Sequence, residues 1–368
     1  MNGATPASRL GLYVHIPFCP QRCPYCAFTV VTGHEDMVAD YVDAVCREIE
    51  TWTSMCQRRF DTVFFGGGTP SRLEPAQLAR ILDTADSVVG LQADAEVTVE
   101  ANPTTADATH FAELRQAGCN RLSLGAQSFQ DDSLRRLGRM HNAAEAEGAY
   151  HVARSAGFAS VSFDLIFSVP GADANDWRET LARAVDLAPD HLSAYALSVE
   201  PGTPFERRRQ EGDLPVVDEE TDAAAYEQLV QTLVGSGYEH YEISNFARPG
   251  HRSRHNWDCW TGGEYIGVGL SAHSFLAGRR FWNGTNLEDY IARVSRGDNP
   301  CVGEEHLPDA AARGEAVWLA LRTCQGVELG FDERERLVSS ELWIDLQTSG
   351  HVQLDGDRLW LTESGLAV

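Results

Sequence analysis

Short apolar runs recur through the first two hundred residues of the chain, with amphipathic segments between them. The apolar runs predict buried strands at Leu12–Ile16, Thr62–Phe65, Glu96–Glu100, Arg121–Gln127, Ser160–Phe167 and His191–Ser198. Apolar residues three and four positions apart predict helices near 35–55, 74–88, 106–117, 142–156 and 174–186. Strands that alternate with helices form parallel sheets. Glycine- and proline-rich strand ends favour an incomplete (β/α)6 barrel over a flat sheet, and barrels carry their chemistry at the carboxyl ends of the strands.

The pattern changes after the sixth predicted strand. A segment rich in proline, glycine and charge, from Glu200 to Pro215, interrupts the repeat, and a helix near 218–234 and a strand at Tyr241–Phe246 are predicted to follow. Residues 251–290, rich in aromatic residues, glycine and histidine, are expected to form an extended site-forming segment. In the tail, two helical stretches precede a hairpin that turns at Asp355-Gly356-Asp357, which predicts a winged-helix-like domain.

These elements predict an α/β protein with a C-terminal α+β extension. We divide it into a barrel at 1–240, a barrel-closing segment at 241–300 and the winged-helix-like domain at 301–368.

Composition narrows the possible partners and chemistry. The 54 acidic and 30 basic residues give a net charge of −24, and such a charge repels phosphate backbones. We therefore expect no nucleic-acid partner, although winged domains often bind DNA. All the basic residues are arginine, so Schiff-base, pyridoxal-phosphate and P-loop lysine chemistry is excluded. Neither a transmembrane run nor a signal-peptide pattern is visible, and we expect a cytoplasmic protein.

Three of the nine cysteines lie together in the loop after the first predicted strand. Cys19, Cys23 and Cys26 have the spacing C-x3-C-x2-C. Structural zinc sites use four ligands, commonly in C-x2-C pairs, whereas three thiolates on one loop suit three irons of a [4Fe–4S] cluster. The fourth iron is then open to the amino and carboxylate groups of a bound cofactor. The scattered cysteines are expected to be small core or surface residues, and they include Cys46, Cys56, Cys119, Cys301 and Cys324.

At these cysteines the sequence resembles the radical S-adenosylmethionine (SAM) superfamily. The run Tyr13-Val14-His15-Ile16-Pro17-Phe18-Cys19 looks like the opening of the group that holds the oxygen-independent coproporphyrinogen oxidases (HemN) and the HemW proteins, and the similarity covers nearly the whole chain. Membership implies that the reduced cluster donates one electron to the sulfonium of SAM, which gives methionine and a 5′-deoxyadenosyl radical. The resemblance also implies SAM-binding residues, which are Tyr13, Gly67, Gly68, Thr69, Glu100, Gln127, Arg139 and Asp164, with Tyr25 near the adenine.

Two features separate the members of this group. HemN-type oxidases carry a fourth cysteine two residues after the third, where this chain has Phe28. The residues His255, Asn256, Cys259 and Trp260 look like the H-N-x-x-Y-W motif of HemW proteins, which is associated with haem, with cysteine in place of the tyrosine. An imidazole or a thiolate can ligate haem iron, and a tryptophan ring can cover a porphyrin. The alternative is that His255 and Asn256 satisfy local backbone groups under the barrel mouth.

The resemblance to HemW proteins implies a haem chaperone that carries haem as cargo to respiratory proteins. It also implies a homodimer and membrane contact only through recipient proteins at the cytoplasmic face. SAM cleavage is compatible with this interpretation, and coproporphyrinogen oxidase activity is not expected. Two alternatives stay open. One is a radical SAM C-methylase or cyclopropanase of the HemN-like class, and the other is the oxidase itself, which Phe28 disfavours.

Overall fold

Six parallel strands that alternate with helices form the centre of the molecule in the computed structural model, which describes residues 9–52 and 58–366. The strands are β1 (Leu10–Ile16), β2 (Phe60–Gly67), β3 (Leu91–Ala101), β4 (Arg121–Gln127), β5 (Ser160–Phe167) and β6 (His191–Ala196). The helices are α1 (Val38–Thr51), α2 (Pro75–Val88), α3 (Ala108–Gln116), α4 (Asp131–Arg136), α5 (Ala143–Ser155) and α6 (Ala174–Leu187). The six predicted strands and five predicted helices are confirmed, although the end of the helix predicted near 35–55 lies outside the described residues, and α4 is an addition. Cys56 and the N-terminal residues examined for a signal peptide lie outside the described residues.

The second half of the chain extends this sheet at both edges. Its elements up to residue 306 are α7 (Pro204–Glu211), α8 (Glu219–Gly235), β7 (Glu239–Glu242), β8 (Asn245–Ala247), α9 (Arg254–Trp260), β9 (Glu264–Val268), β10 (His273–Leu276), β11 (Arg279–Asn283), α10 (Leu287–Ser295) and β12 (Cys301–His306). The sheet runs β12-β11-β10-β9-β1-β2-β3-β4-β5-β6-β8-β7. In the described part of the chain β1 pairs with β9 and β6 with β8, so the barrel is open, as predicted.

One prediction for this half was wrong. The single strand at Tyr241–Phe246 is instead the hairpin of β7 and β8, because the Glu242 carboxylate accepts the Ser244 N–H at 3.0 Å and holds a tight turn between them. The segment 251–290 contains helix α9, the three strands β9, β10 and β11 and the start of α10. The Ser253 hydroxyl caps α9 by accepting the Asn256 N–H.

The C-terminal region forms a smaller α+β unit with its own apolar core. It contains α11 (Asp309–Leu321), β13 (Val327–Glu328), α12 (Phe331–Val338), α13 (Glu341–Ser349), β14 (Val352–Asp355), β15 (Arg358–Leu361) and α14 (Glu363–Leu366). Its sheet has the order β13-β15-β14, and the predicted hairpin is confirmed as β14 and β15. Three helices, α11, α12 and α13, precede this hairpin, where two helical stretches were predicted. The domain boundaries at 240 and 300 stay a prediction.

Successive residues of the central strands point to opposite sides of the sheet. Along β1, Leu12, Val14 and Ile16 are buried in the main apolar core, which the helices cover. The alternate positions of β3 to β6 face the barrel interior and are largely polar, among them Thr98, Glu100, Ser123, Ser162, Asp164, His191 and Ser193. A helix both long and apolar enough for a membrane crossing does not occur within the described residues.

A buried carboxylate joins the barrel to the strands that extend it. Glu48 of α1 accepts hydrogen bonds from the Gly269 N–H at 2.8 Å, the Tyr290 hydroxyl at 2.6 Å and the Asn283 amide at 2.7 Å. Burial raises the pKa of Glu48 to about 7. Three donors from three segments therefore depend on one side chain.

We expect Glu48→Ala to lower the free energy of unfolding by about 3 kcal/mol, because it leaves these buried donors without an acceptor. Urea denaturation would measure the change. Asp40→Ala, at an exposed position of the same helix, is the control and should cost less than about 1 kcal/mol. Equal losses in the two variants would contradict this role for Glu48.

Candidate functional site

The three clustered cysteines lie on a loop whose two ends are fastened together. Directly after β1, the Cys19 N–H donates to the Val31 carbonyl at 2.9 Å, and the Val31 N–H donates to the Pro17 carbonyl at 2.9 Å. Within the loop the Cys26 N–H donates to the Cys23 carbonyl at 3.1 Å. These bonds close the loop on itself and hold the three thiols at the carboxyl end of β1.

The residues around the thiols fit an iron–sulfur cluster. All three cysteines are free and half-buried, the Thr69 hydroxyl lies 3.4 Å from the Cys19 sulfur, and an Arg139 N–H donates to the Cys23 sulfur at 3.5 Å. Burial raises the pKa of Cys19 and of Cys26. Among the described residues no three potential ligands gather around a single ion. In a cubane each thiolate binds a different iron, so that arrangement is not required.

The glycine stretch that ends β2 lies against the chain that leads to the cysteines. The Gly68 N–H donates to the Ile16 carbonyl at 2.8 Å and the Thr69 N–H to the Phe18 carbonyl at 3.0 Å. A Cβ on Gly68 would lie 2.6 Å from the Pro17 carbonyl oxygen, and Gly67 has a φ of +111°. Both positions therefore require glycine, and their backbone is open to a ligand.

Two buried carboxylates extend the site across β3 and β5. A Glu100 oxygen accepts the Gly67 N–H at 3.1 Å, and Asp164 accepts the Ser123 hydroxyl at 2.9 Å. Burial raises the pKa of Glu100 to about 8, with a further contribution from the charge of Asp164. Burial likewise raises the pKa of Asp164 to about 6. A bound cation would favour the ionised form of both acids.

Arg139 and Gln127 complete the rim on the side of β4. The Arg139 guanidinium donates to the Gly125 carbonyl at 3.0 Å, in addition to its contact with Cys23. Gln127 has a φ of +64°, the left-handed region that side chains other than glycine seldom adopt. Such backbone strain is typical of functional sites. Gln127 is the last residue of β4, whereas Arg139 follows α4.

One cavity of about 530 Å³ collects most of the predicted site. It is lined by the three cysteines and by Tyr25, Gly67, Gly68, Thr69, Glu100, Gln127, Arg139 and Asp164. Tyr13 is the exception, because its hydroxyl lies 3.0 Å from His15 Nδ1 and its ring stacks on Phe64, which itself lines the cavity. Phe28, which stands where HemN-type oxidases have a cysteine, is 68% exposed at the mouth of the cavity.

The motif at α9 divides between the protein interior and two cavities. His255 is buried, its Nδ1 lies 2.8 Å from the Thr62 hydroxyl, and its ring stacks on Phe64. Burial lowers the pKa of His255 to about 4. This position agrees with the alternative in which His255 satisfies neighbouring groups. Asn256 lines the main cavity.

A second cavity of about 200 Å³ lies beside the first. Asn256 and Tyr195 line both cavities, while Cys259 and Trp260 line the second. Burial raises the pKa of Cys259 to about 12, so its thiol is protonated near neutral pH. Arg322, just after α11, lies over the Trp260 ring at 4.3 Å and connects the C-terminal unit to this motif.

Sequence reasoning missed the polar floor of the main cavity. Thr98, Arg121, Ser162 and His191 line it below the predicted SAM residues. His191 is held on both sides, with its ring nitrogens 2.7 Å from the Ser162 and Tyr241 hydroxyls. The sequence did carry a signal, namely polar residues at alternate positions of β3 to β6. Strands of a parallel sheet are normally apolar on both faces, so polar residues there are unusual. Tyr25 has a further neighbour in Phe205 of α7, whose N–H donates to the Pro24 carbonyl at 3.0 Å.

Comparison with known proteins agrees with this fold and site. The model of the radical SAM superfamily matches residues 13–184, which include the cysteine loop and the carboxyl ends of β1 to β5. The solved structure of coproporphyrinogen III oxidase (HemN) from Escherichia coli superposes on this chain with a TM-score of 0.83 at 26% sequence identity. The superposition covers 99% of this chain and 88% of the HemN chain. Fold and site together define a radical SAM protein, a class that uses a [4Fe–4S] cluster and SAM.

The sequence relatives narrow this class. The protein named heme chaperone HemW of Mycobacterium tuberculosis (strain ATCC 25618 / H37Rv) is 37% identical over 367 residues, which are 98% of this chain and 93% of that protein. The protein of the same name from Escherichia coli (strain K12) is 40% identical over 293 residues, 78% of this chain and 75% of that protein. The chain belongs to the HemW family of radical SAM proteins.

Replacement of any one cysteine of the triad by alanine should abolish the iron–sulfur absorption of anaerobically reconstituted protein, because each thiolate holds a separate iron. Visible spectra and iron content would measure it. Cys324→Ala, which removes an exposed thiol of the C-terminal region, should leave both unchanged. An intact cluster in any of the three triad variants would disprove the assignment of that cysteine.

SAM binding should strengthen as the pH rises towards about 8 and should level off above it. The pKa of Glu100 is near 8, and the sulfonium of SAM favours the ionised carboxylate, so binding releases a proton below this pH. Anaerobic calorimetry of the cluster-loaded protein would measure the dependence. Glu100→Gln should flatten it, whereas the exposed Glu113→Gln should not. A slope that persists in Glu100→Gln would exclude Glu100 as its source.

Proposed function

We propose that this protein binds haem and acts as a haem chaperone. The observation that carries the proposal is the similarity to proteins of that name along nearly the full chain. Phe28 agrees with it, since this exposed phenylalanine stands where HemN-type oxidases have a fourth cysteine. The cluster and SAM would occupy the cysteine loop and the rim formed by Gly67, Glu100 and Arg139.

Haem would contact the protein along α9. Asn256 and Trp260 are one helical turn apart and both reach the second cavity, so we expect them to meet the porphyrin. His255 and Cys259 are both uncharged near neutral pH, because burial lowers the pKa of the histidine and raises that of the thiol. In this arrangement His255 supports the helix from inside, and the ring of Trp260 supplies an apolar face.

The recipients of haem, the cellular location and the oligomeric state are proposed from the family. We propose that the protein delivers haem to respiratory proteins, meets them at the inner face of the membrane from the cytoplasm, and works as a homodimer. Reductive cleavage of SAM would be within the reach of the proposed cluster site. When bound, the cluster supplies the electron for that reaction, and the chain's own residues position SAM and shield it from water.

Reconstituted protein should change the Soret absorption of haem in a saturable titration, and Trp260→Ala should weaken haem binding about tenfold through the loss of an aromatic face. Trp318→Ala is the matched control. Both rings contact Arg322, at 4.3 Å and 5.7 Å, but of the two only Trp260 lines a described cavity. Equal effects of the two variants would contradict haem contact at Trp260, and absent binding in the wild type would refute the chaperone proposal.

The same preparation would test the alternatives. With SAM, reductant and coproporphyrinogen III, mass spectrometry should show no loss of carboxyl groups from a protein that still cleaves SAM. Decarboxylation would restore the oxidase interpretation despite Phe28. Transfer of a methyl group to an added acceptor would support the methylase class.

A further inference from the structure

Two polar atoms at the floor of the main cavity have no hydrogen-bond partner in the described chain. They are the hydroxyl oxygen of Thr98 and Nη2 of Arg121. Thr98 is 1% exposed and Arg121 3% exposed, and both side chains line the cavity. The two residues are also direct neighbours in the register of β3 and β4. Their unpartnered atoms therefore belong to one small area of the cavity wall.

The rest of the Arg121 guanidinium is fixed from the other side. Its Nη1 donates to the Ser160 hydroxyl at 3.1 Å and to the His251 carbonyl at 2.9 Å, and it lies 3.8 Å from a Glu96 carboxylate oxygen. These contacts orient the planar group and place Glu96 on the Nη1 side. Nη2 is buried and has no partner among the described residues, and a guanidinium edge matches the geometry of a carboxylate.

Buried polar groups in folded proteins nearly always find partners, because an unmade hydrogen bond costs free energy. A hydroxyl beside a guanidinium presents donors to an anionic oxygen. The methionyl carboxylate of SAM has another candidate in Arg139, whose guanidinium contacts the Cys23 sulfur at the rim. A ligand other than SAM is therefore the simpler source of a carboxylate at the floor.

The floor also adjoins the segment proposed to contact haem. Arg121 bonds to His251 in the approach to α9, and the His255 N–H donates to Glu96 at 3.1 Å. Asn256 lines the same cavity as Thr98 and Arg121. We propose that Thr98 and Arg121 form a carboxylate subsite that receives a propionate group of haem. This inference rests on the proposed function and specifies where one end of the porphyrin binds.

The test compares haem with its dimethyl ester, which lacks both carboxylates, in Soret titrations of the cluster-loaded full chain. The wild type should prefer haem about tenfold, and Arg121→Gln should bind the two about equally. Thr98→Val should reduce the preference severalfold without loss of stability, because it removes a hydroxyl that has no partner among the described residues. Thr109→Val, at an exposed position of α3, is the control and should behave as the wild type.

The outcomes separate the subsite from the function on which it rests. A wild type that binds neither porphyrin would refute the haem proposal and the subsite with it. A wild type that binds both porphyrins equally would overturn the subsite and leave haem binding in place. Weaker SAM binding in Thr98→Val, with an unchanged preference for haem, would assign the floor to the carboxylate of SAM. If circular dichroism shows that Arg121→Gln does not fold, Thr98→Val decides.

Discussion

The backbone pairing between the ends of β1 and β2 is the constraint on which the whole site depends. Ile16 lies level with Gly67, and two hydrogen bonds, from the Gly68 and Thr69 N–H groups, continue the pairing into the loops. The absence of a side chain at Gly68 lets the two loops touch. Because the link is made by the main chain, the cysteine loop and the glycine stretch keep one relative position. The predicted cluster ligands and the first predicted SAM-binding residues thereby keep a fixed relative position.

Burial controls which acidic side chains of the site are ionised. Glu100 and Asp164 both have raised pKa values, since the barrel interior disfavours their ionised forms. Arg139 stands at the rim beside Cys23 and Arg121 at the floor beside Glu96. The barrel interior is therefore polar and holds both acidic side chains and arginines. A zwitterionic ligand such as SAM would meet acids that can ionise and an arginine that suits its carboxylate.

The sequence was informative where local periodicity and spacing determine structure. The strands and their polar carboxyl ends were predictable, because parallel strands bring their ends to one face of a barrel. The turn between β7 and β8 was not, because it depends on a hydrogen bond from Ser244 to Glu242 within a segment that was predicted as one strand. Arg121 was hidden for another reason. It opens a predicted strand, and its position on the cavity floor follows from the alignment of β3 with β4.

Helix α9 shows why a motif can be recognised before its roles are known. His255 and Cys259 are one turn apart, as are Asn256 and Trp260, so the motif occupies two adjacent faces of the helix. His255 is buried, whereas Cys259 lines the second cavity together with Asn256 and Trp260. Cys259, where the family motif has tyrosine, therefore shares that cavity with the pair proposed to meet haem. The departure from the motif places a thiol at the cavity wall, and the pair proposed to meet haem is retained.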